Sequence, residues 1–123
     1  MALVTVLTTV GKTYAATKMA DTSTTTVVPK WIGIGTGVHT AAVADIALTT
    51  PSVDARVGTN PATSSTNTFQ VIQTITATAL QAVVEAGLFS ALTGGTMMVS
   101  STFDVVTLQI GDSIQITAQI TYA

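Results

Sequence analysis

The side chains that could perform catalysis or hold a metal are few in this chain. His39 is the only histidine, and the nearest carboxylate in the sequence is that of Asp45. A serine nucleophile needs a base beside it, and the Gly-x-Ser-x-Gly turn that presents such a serine is absent from the sequence. One histidine, six acidic residues and no cysteine show no recognisable metal-ligand spacing. We therefore predict no enzymatic activity, no catalytic residue, no metal site and no cofactor.

A glycine-rich segment at residues 33–37 superficially resembles a phosphate-binding loop. It reads Gly-Ile-Gly-Thr-Gly, but it lacks the lysine of a nucleotide-binding loop. No long helix is predicted after it, so no helix N-terminus is available to hold a phosphate. We expect these glycines to mark positions where the backbone turns or packs closely.

Two charged residues are unique in the chain and lie within apolar segments. Arg56 is the only arginine, and Glu85 is the only glutamate. Because charges are rarely buried unless they are paired, we predict a structural ion pair between them across the sheet or sandwich. Glycoside hydrolysis needs two acids that act together, and Glu85 has no second acid near it in the sequence.

The composition favours strands over helices as the elements that position these residues. Of the 123 residues, 26 are threonine, 15 are valine and 9 are isoleucine. Side chains branched at Cβ lose rotamer freedom in a helix and suit the pleated, half-buried surface of a sheet. We predict a mainly β domain, an antiparallel β-sandwich or small barrel of about six to eight strands with at most one or two short helices.

Turn residues and apolar alternation divide the chain into an N-terminal arm, residues 1–28, and a β-domain, residues 29–123. The arm combines alternation at residues 2–10, a helix-compatible piece at residues 12–20 and a Ser/Thr-rich link. This pattern fits either an extended arm or a first strand of the core sheet. One or two helical turns are predicted at residues 41–48. Strands are predicted at residues 27–37, 52–58, 68–78, 80–90, 96–106 and 114–122.

The last strand has the clearest pattern in the chain. Even positions from 114 to 122 are Ile, Ile, Ala, Ile and Tyr, whereas odd positions from 113 to 121 are Ser, Gln, Thr, Gln and Thr. Side chains alternate between the two faces of a strand, so the apolar row should face the core. The polar row contains none of the charges that normally discourage association between exposed strands. We predict that this row is covered in the assembled state.

Candidate partner-binding residues come from three parts of the chain. The alternating apolar residues of the arm suit strand addition to a neighbouring sheet. The only tryptophan is either a core residue or an aromatic anchor at an interface. The outer row of the last strand offers amides and hydroxyls for hydrogen bonds with a partner. The candidates are Leu3, Val4, Val6, Leu7, Trp31, Gln115, Thr117 and Gln119.

The low charge of the chain restricts its partners. Only 8% of the residues are charged, against about 25% in a typical soluble domain, although 47% are hydrophobic. A surface with so little charge should be covered by a copy of the chain or by another protein. The net charge of −2 argues against nucleic acid. No apolar run is long enough for a membrane span, and the N-terminus lacks the basic region of a signal peptide, so we expect synthesis in the cytoplasm.

Several short motifs occur in a characteristic order along residues 29–122. They are Pro29–Gly37, Leu48, Ala55–Val57, Glu85–Phe89, Gly94–Met98, Ser101–Phe103 and Gly111–Gln115. In this order the motifs resemble those of the small structural proteins of tailed bacteriophages, namely the capsid cement, decoration and tail-fibre-like proteins.

The resemblance implies a non-enzymatic virion component present in many copies. Such a protein would lie on the outer capsid surface, form a homo-oligomer such as a dimer or trimer, and bind the major capsid protein at the joints between capsomers. A tail, fibre or baseplate component is an alternative within the same viruses. A carbohydrate-binding β-sandwich is an alternative of another class, although one tryptophan and two tyrosines provide few aromatic rings for a sugar platform.

Overall fold

The protein is described by a computed structural model over residues 4–19 and 28–121. This part of the chain forms seven strands and one short helix, so the predicted mainly β fold is confirmed. The elements are β1 (Val4–Leu7), α1 (Thr9–Met19), β2 (Trp31–Gly35), β3 (Thr63–Ser65), β4 (Thr68–Thr76), β5 (Gln81–Phe89), β6 (Met97–Leu108) and β7 (Ser113–Thr121).

The strands form two antiparallel sheets that pack as a small sandwich. Sheet A has four strands in the order β1-β6-β5-β2, and sheet B has three in the order β3-β4-β7. Strands β4 and β7 pair without a break from Thr68 opposite Thr121 to Thr76 opposite Ser113. The main core lies between the sheets and contains buried side chains from both, including Ile32, Ile34, Val71, Ile75, Leu88, Val99 and Ile120.

The chain passes between the two sheets through two short connections at one end of the sandwich. The segment between β4 and β5 and the turn between β6 and β7 bond to each other, with the Ala77 N–H donating to the Asp112 carbonyl and the Gly111 N–H donating to the Ala77 carbonyl. Gly111 has a φ of 92°, which favours glycine at this turn. The connections therefore place β4 near β5 and β7 near β6 at this end.

A long loop, residues 36–58, covers the outer face of sheet A. The predicted helical turns at residues 41–48 and the predicted strand at residues 52–58 are wrong, since the loop contains only turns, bends and isolated bridges. Two antiparallel bridges tie it to β2, between Ile32 and Val57 and between Gly35 and Pro51. The loop is thus attached to β2 by isolated backbone bridges and has no regular secondary structure of its own.

The described part of the N-terminal segment forms a strand and a short helix. Strand β1 pairs with β6, with Val6 opposite Ser100, and forms an edge of sheet A. Thr8 is fully buried, and its hydroxyl donates to the Met97 carbonyl and accepts the Gly11 N–H, which caps α1. Within residues 4–19 the segment therefore consists of a strand that pairs at the edge of sheet A and a helix, whereas residues 1–3 and 20–27 lie outside the described part.

Candidate functional site

The exposed face of sheet B is a regular surface on which β4 and β7 present no charged side chain. It is formed by the outward rows of β4 and β7, which lie opposite each other in register. All of its side chains are exposed or half-buried, and every one except Ile72 carries an amide or a hydroxyl. The uncharged face consists of Thr68, Gln70, Ile72, Thr74, Thr76, Ser113, Gln115, Thr117, Gln119 and Thr121.

Cross-strand hydrogen bonds fix the side chains of the uncharged face. The Gln119 amide donates to the Gln70 side-chain oxygen at 3.1 Å, and the Thr68 and Thr121 hydroxyls lie 3.3 Å apart. At the other end of the face, the Thr76 and Ser113 hydroxyls are 2.9 Å apart. The remaining donors and acceptors point outward, so the face can bind a partner through neutral hydrogen bonds without desolvating an ion.

The sequence predicted half of the uncharged face. Gln115, Thr117 and Gln119 are exposed on β7, as the alternation indicated. The matching row of β4 was missed, although Thr68, Gln70, Thr74 and Thr76 show the same alternation in the sequence. Only the strand pairing reveals that the two rows adjoin. Whether a partner covers them stays a prediction.

Glu85 is a completely buried carboxylate that holds the loop against sheet A. Its Oε2 accepts the N–H groups of Gly37 and Thr50, and its Oε1 accepts the N–H of Thr49, each at 2.9 Å. Backbone donors thus surround the charge in place of water. A Cβ atom at Gly35 would lie 2.5 Å from Glu85 Oε2, so the close approach requires glycine there.

Arg56 does not pair with Glu85, so the predicted ion pair is wrong. The Arg56 Nη1 donates instead to the carbonyls of Ala91 and Gly94, each at 2.8 Å. Its guanidinium stacks on Phe89, 3.5 Å from the ring centroid. Each charge is satisfied by backbone groups of the opposite partial charge, which is why neither needs the other.

His39 lies between two carboxylates but has no nucleophile. Its Nε2 is 3.4 Å from Asp45 Oδ2, and its Nδ1 is 3.5 Å from Glu85 Oε1. The buried Ser100 hydroxyl donates to Asp45 at 2.7 Å rather than to the imidazole. A triad requires the hydroxyl to contact the base, so this cluster orders the loop and does not activate a serine.

Several interactions of Asp45 determine its protonation. Partial burial opposes ionisation, but hydrogen bonds from Ala42 N–H and Ser100, together with His39, outweigh that effect. The pKa of Asp45 is therefore lowered from its ordinary value of 3.8. The carboxylate is ionised at neutral pH and links β6 to the loop, which supports a structural role for the cluster.

The remaining predicted partner-binding residues have less exposed positions. Trp31 is half-buried and packs with Leu48, Phe89 and Met97, in agreement with its interpretation as a core residue. A role as an interface anchor stays a prediction. Val6 and Leu7 are half-buried on β1, whose backbone also pairs at Val4. Leu3 lies outside the described residues.

Comparisons with known proteins identify no family for the chain. No family model, no curated protein and no solved structure matches it. Within residues 4–19 and 28–121, no cluster of three metal-ligating side chains occurs. In the same ranges, no helix combines the length and the hydrophobicity needed to cross a bilayer. The functional interpretation therefore depends on the surfaces described above.

Proposed function

We propose that the chain is a non-enzymatic virion structural protein that binds the major capsid protein on the outer surface of a phage capsid. It would act as a cement or decoration protein that stabilises the joints between capsomers. The uncharged face of sheet B carries this proposal. Its outward side chains hydrogen-bond to a partner at little desolvation cost, and they include no lysine or glutamate that would disfavour burial.

Exposed apolar side chains elsewhere support a role in an assembly. Several large ones on the loops are at least half exposed, which favours further contacts with neighbouring subunits. These residues are Val38, Val43, Ile46, Val53, Leu80 and Ile110. Many weak contacts of this kind, repeated over a symmetric lattice, give strong total binding through avidity.

Quantitative mass spectrometry of purified particles tests the proposed location. The particles should come from the phage whose genome encodes the chain. We expect the molar ratio of this protein to the major capsid protein to be of order one, as for a component bound at every joint between capsomers. A ratio far below that would indicate a tail, fibre or baseplate part, and complete absence from particles would overturn the proposal.

A further inference from the structure

One side chain of this protein is of a type that ordinarily changes its charge close to neutral pH. Histidine is the side-chain type whose ordinary titration lies between about pH 5 and pH 8, and His39 is the only histidine. The chain has no cysteine, and its acidic and lysine side chains ordinarily titrate well outside this range. A change in stability across this range can therefore be assigned to His39, provided that a variant without the imidazole serves as the control.

Within the described residues, the hydrogen-bond and ion-pair partners of the His39 ring are all acceptors. Nε2 lies 3.4 Å from Asp45 Oδ2. Nδ1 lies 3.5 Å from Glu85 Oε1 and 3.4 Å from the Gly37 carbonyl oxygen. A neutral imidazole carries a single N–H, so either tautomer leaves one ring nitrogen with a lone pair that faces an acceptor. The imidazolium donates at both nitrogens and therefore fits its surroundings better.

The two carboxylates beside His39 are attached to different parts of the fold. Glu85 belongs to β5 and accepts three N–H groups of the loop of residues 36–58. Asp45 belongs to that loop and accepts the Ser100 hydroxyl of β6 at 2.7 Å. The pKa of Asp45 is lowered from 3.8, so its charge persists throughout the range in which histidine titrates. A charged His39 therefore joins the loop to both central strands of sheet A.

We propose that protonation of His39 fastens the loop of residues 36–58 to β5 and β6, and that loss of the proton loosens it. The loop carries three large apolar side chains close to His39 and Asp45 in the sequence, each at least half exposed, namely Val38, Val43 and Ile46. The proton would thus control how firmly these side chains are held. This clamp is independent of the proposed function, because all of its contacts lie within one chain.

The direction of the effect follows from proton linkage. The folded chain places two carboxylates beside the imidazolium and the unfolded chain does not, so folding favours the protonated form. The added stability is present below about pH 6.5, where histidine is ordinarily protonated, and is lost as the pH rises and the folded chain releases the proton. Both ion-pair distances are long and the His39 side chain is 20% exposed, so we expect a change of about twofold to fivefold in the folding equilibrium constant.

Urea denaturation and amide hydrogen exchange of the full chain at about pH 5.5 and about pH 7.5 test the clamp. We expect the folding equilibrium constant to be about twofold to fivefold higher at the more acidic pH. The amides of Gly37, Thr49 and Thr50, which donate to Glu85, should gain protection by a similar factor after correction for the intrinsic pH dependence of exchange.

Two variants identify the group responsible. His39→Gln cannot take up a proton and keeps the same α-amino group, so its stability should be equal at the two pH values. Asp45→Asn keeps an oxygen for the Ala42 N–H and the Ser100 hydroxyl but removes one of the two charges that face the ring. Its gain in stability at the acidic pH should be smaller than that of the wild type.

Each of the other results would overturn the clamp. Wild-type stability that is independent of pH, or that falls between the neutral and the acidic condition, would contradict the linkage. An equal gain in His39→Gln would assign the effect to another group. A gain in the folding equilibrium constant without added protection of the three loop amides would show that the proton does not act on the loop. If His39→Gln does not fold, an undiminished gain in Asp45→Asn would overturn the clamp in its place.

Discussion

At the scale of single residues, one buried and one half-buried charge hold the loop of residues 36–58 to the sandwich through backbone hydrogen bonds. Glu85 accepts three N–H groups, and Arg56 donates to two carbonyls. Neither arrangement can be predicted from the sequence, because backbone groups carry no signal in the residue types. The sequence indicated correctly that both charges needed compensation, but it suggested the wrong partners.

Glu85→Gln should destabilise the fold by about 1–3 kcal/mol, because the amide cannot accept hydrogen bonds at both terminal positions. At least one of the Gly37, Thr49 and Thr50 N–H groups would then lose its acceptor. Urea denaturation measures the change. Thr107→Val, a substitution of similar size at an exposed position on β6, is the control and should stay within about 0.5 kcal/mol. Equal stability of Glu85→Gln and wild type would contradict the role assigned to this carboxylate.

The protonation of Asp54 should contribute a pH dependence to stability. Hydrogen bonding from Thr78 is the main cause that lowers its pKa below 3.8, and Gln81 contributes despite partial burial. Since the folded-state pKa is below the unfolded value, the stabilisation is present above 3.8 and disappears as the pH falls through the folded value.

Thermal melts of the wild type and Asp54→Asn across this range provide the measurement. We expect the melting temperatures to differ most at neutral pH and to converge as the solution becomes more acidic than pH 3.8. A difference that is independent of pH would show that the charge of Asp54 makes no contribution.

At the scale of elements, alternation predicted most of the strands but not which strands pair. The apolar and polar rows of β7 have the predicted faces, with Ile120 buried and Gln115 exposed. In β5 the alternation of inward and outward side chains is interrupted. Val83 and Ala86 are three positions apart, yet both belong to the core. A register shift between Val83 and Glu85 explains this interruption. The sequence gives no clear signal for such an irregularity, because it depends on how two distant strands meet.

A substitution at Thr8 tests whether the N-terminal segment contributes to the stability of the fold. Thr8→Val removes a buried hydroxyl that bonds both Gly11 N–H and the Met97 carbonyl, and it should cost about 1–3 kcal/mol. Thr13→Val is the matched control, since its hydroxyl is exposed and bonds only within α1. Chemical denaturation of both variants gives the comparison. If both are as stable as wild type, the N-terminal segment does not contribute to the fold.

At the scale of the whole molecule, the protein is a sandwich with a core between its two sheets and an uncharged outer face on sheet B. Composition alone predicted the β fold, because β-branched residues are so frequent. It also predicted a covered surface, since charges are too few to shield an isolated monomer. The identity of the covering partner cannot follow from these properties, because amides and hydroxyls accept many neutral partners.

Binding of purified protein to undecorated capsids tests the central claim most directly. The variant Gln115→Lys plus Thr117→Glu introduces opposite charges into the uncharged face without changing the net charge. Val105→Lys plus Thr107→Glu makes the same change on an exposed part of β6 outside that face. Co-sedimentation with capsids measures the bound fraction, and thermal melts verify that both variants are folded. We predict that the wild type and the β6 variant bind equally, whereas the β7 variant loses most binding at an unchanged melting temperature. Equal binding of all three proteins, or no binding of the wild type, would contradict the account.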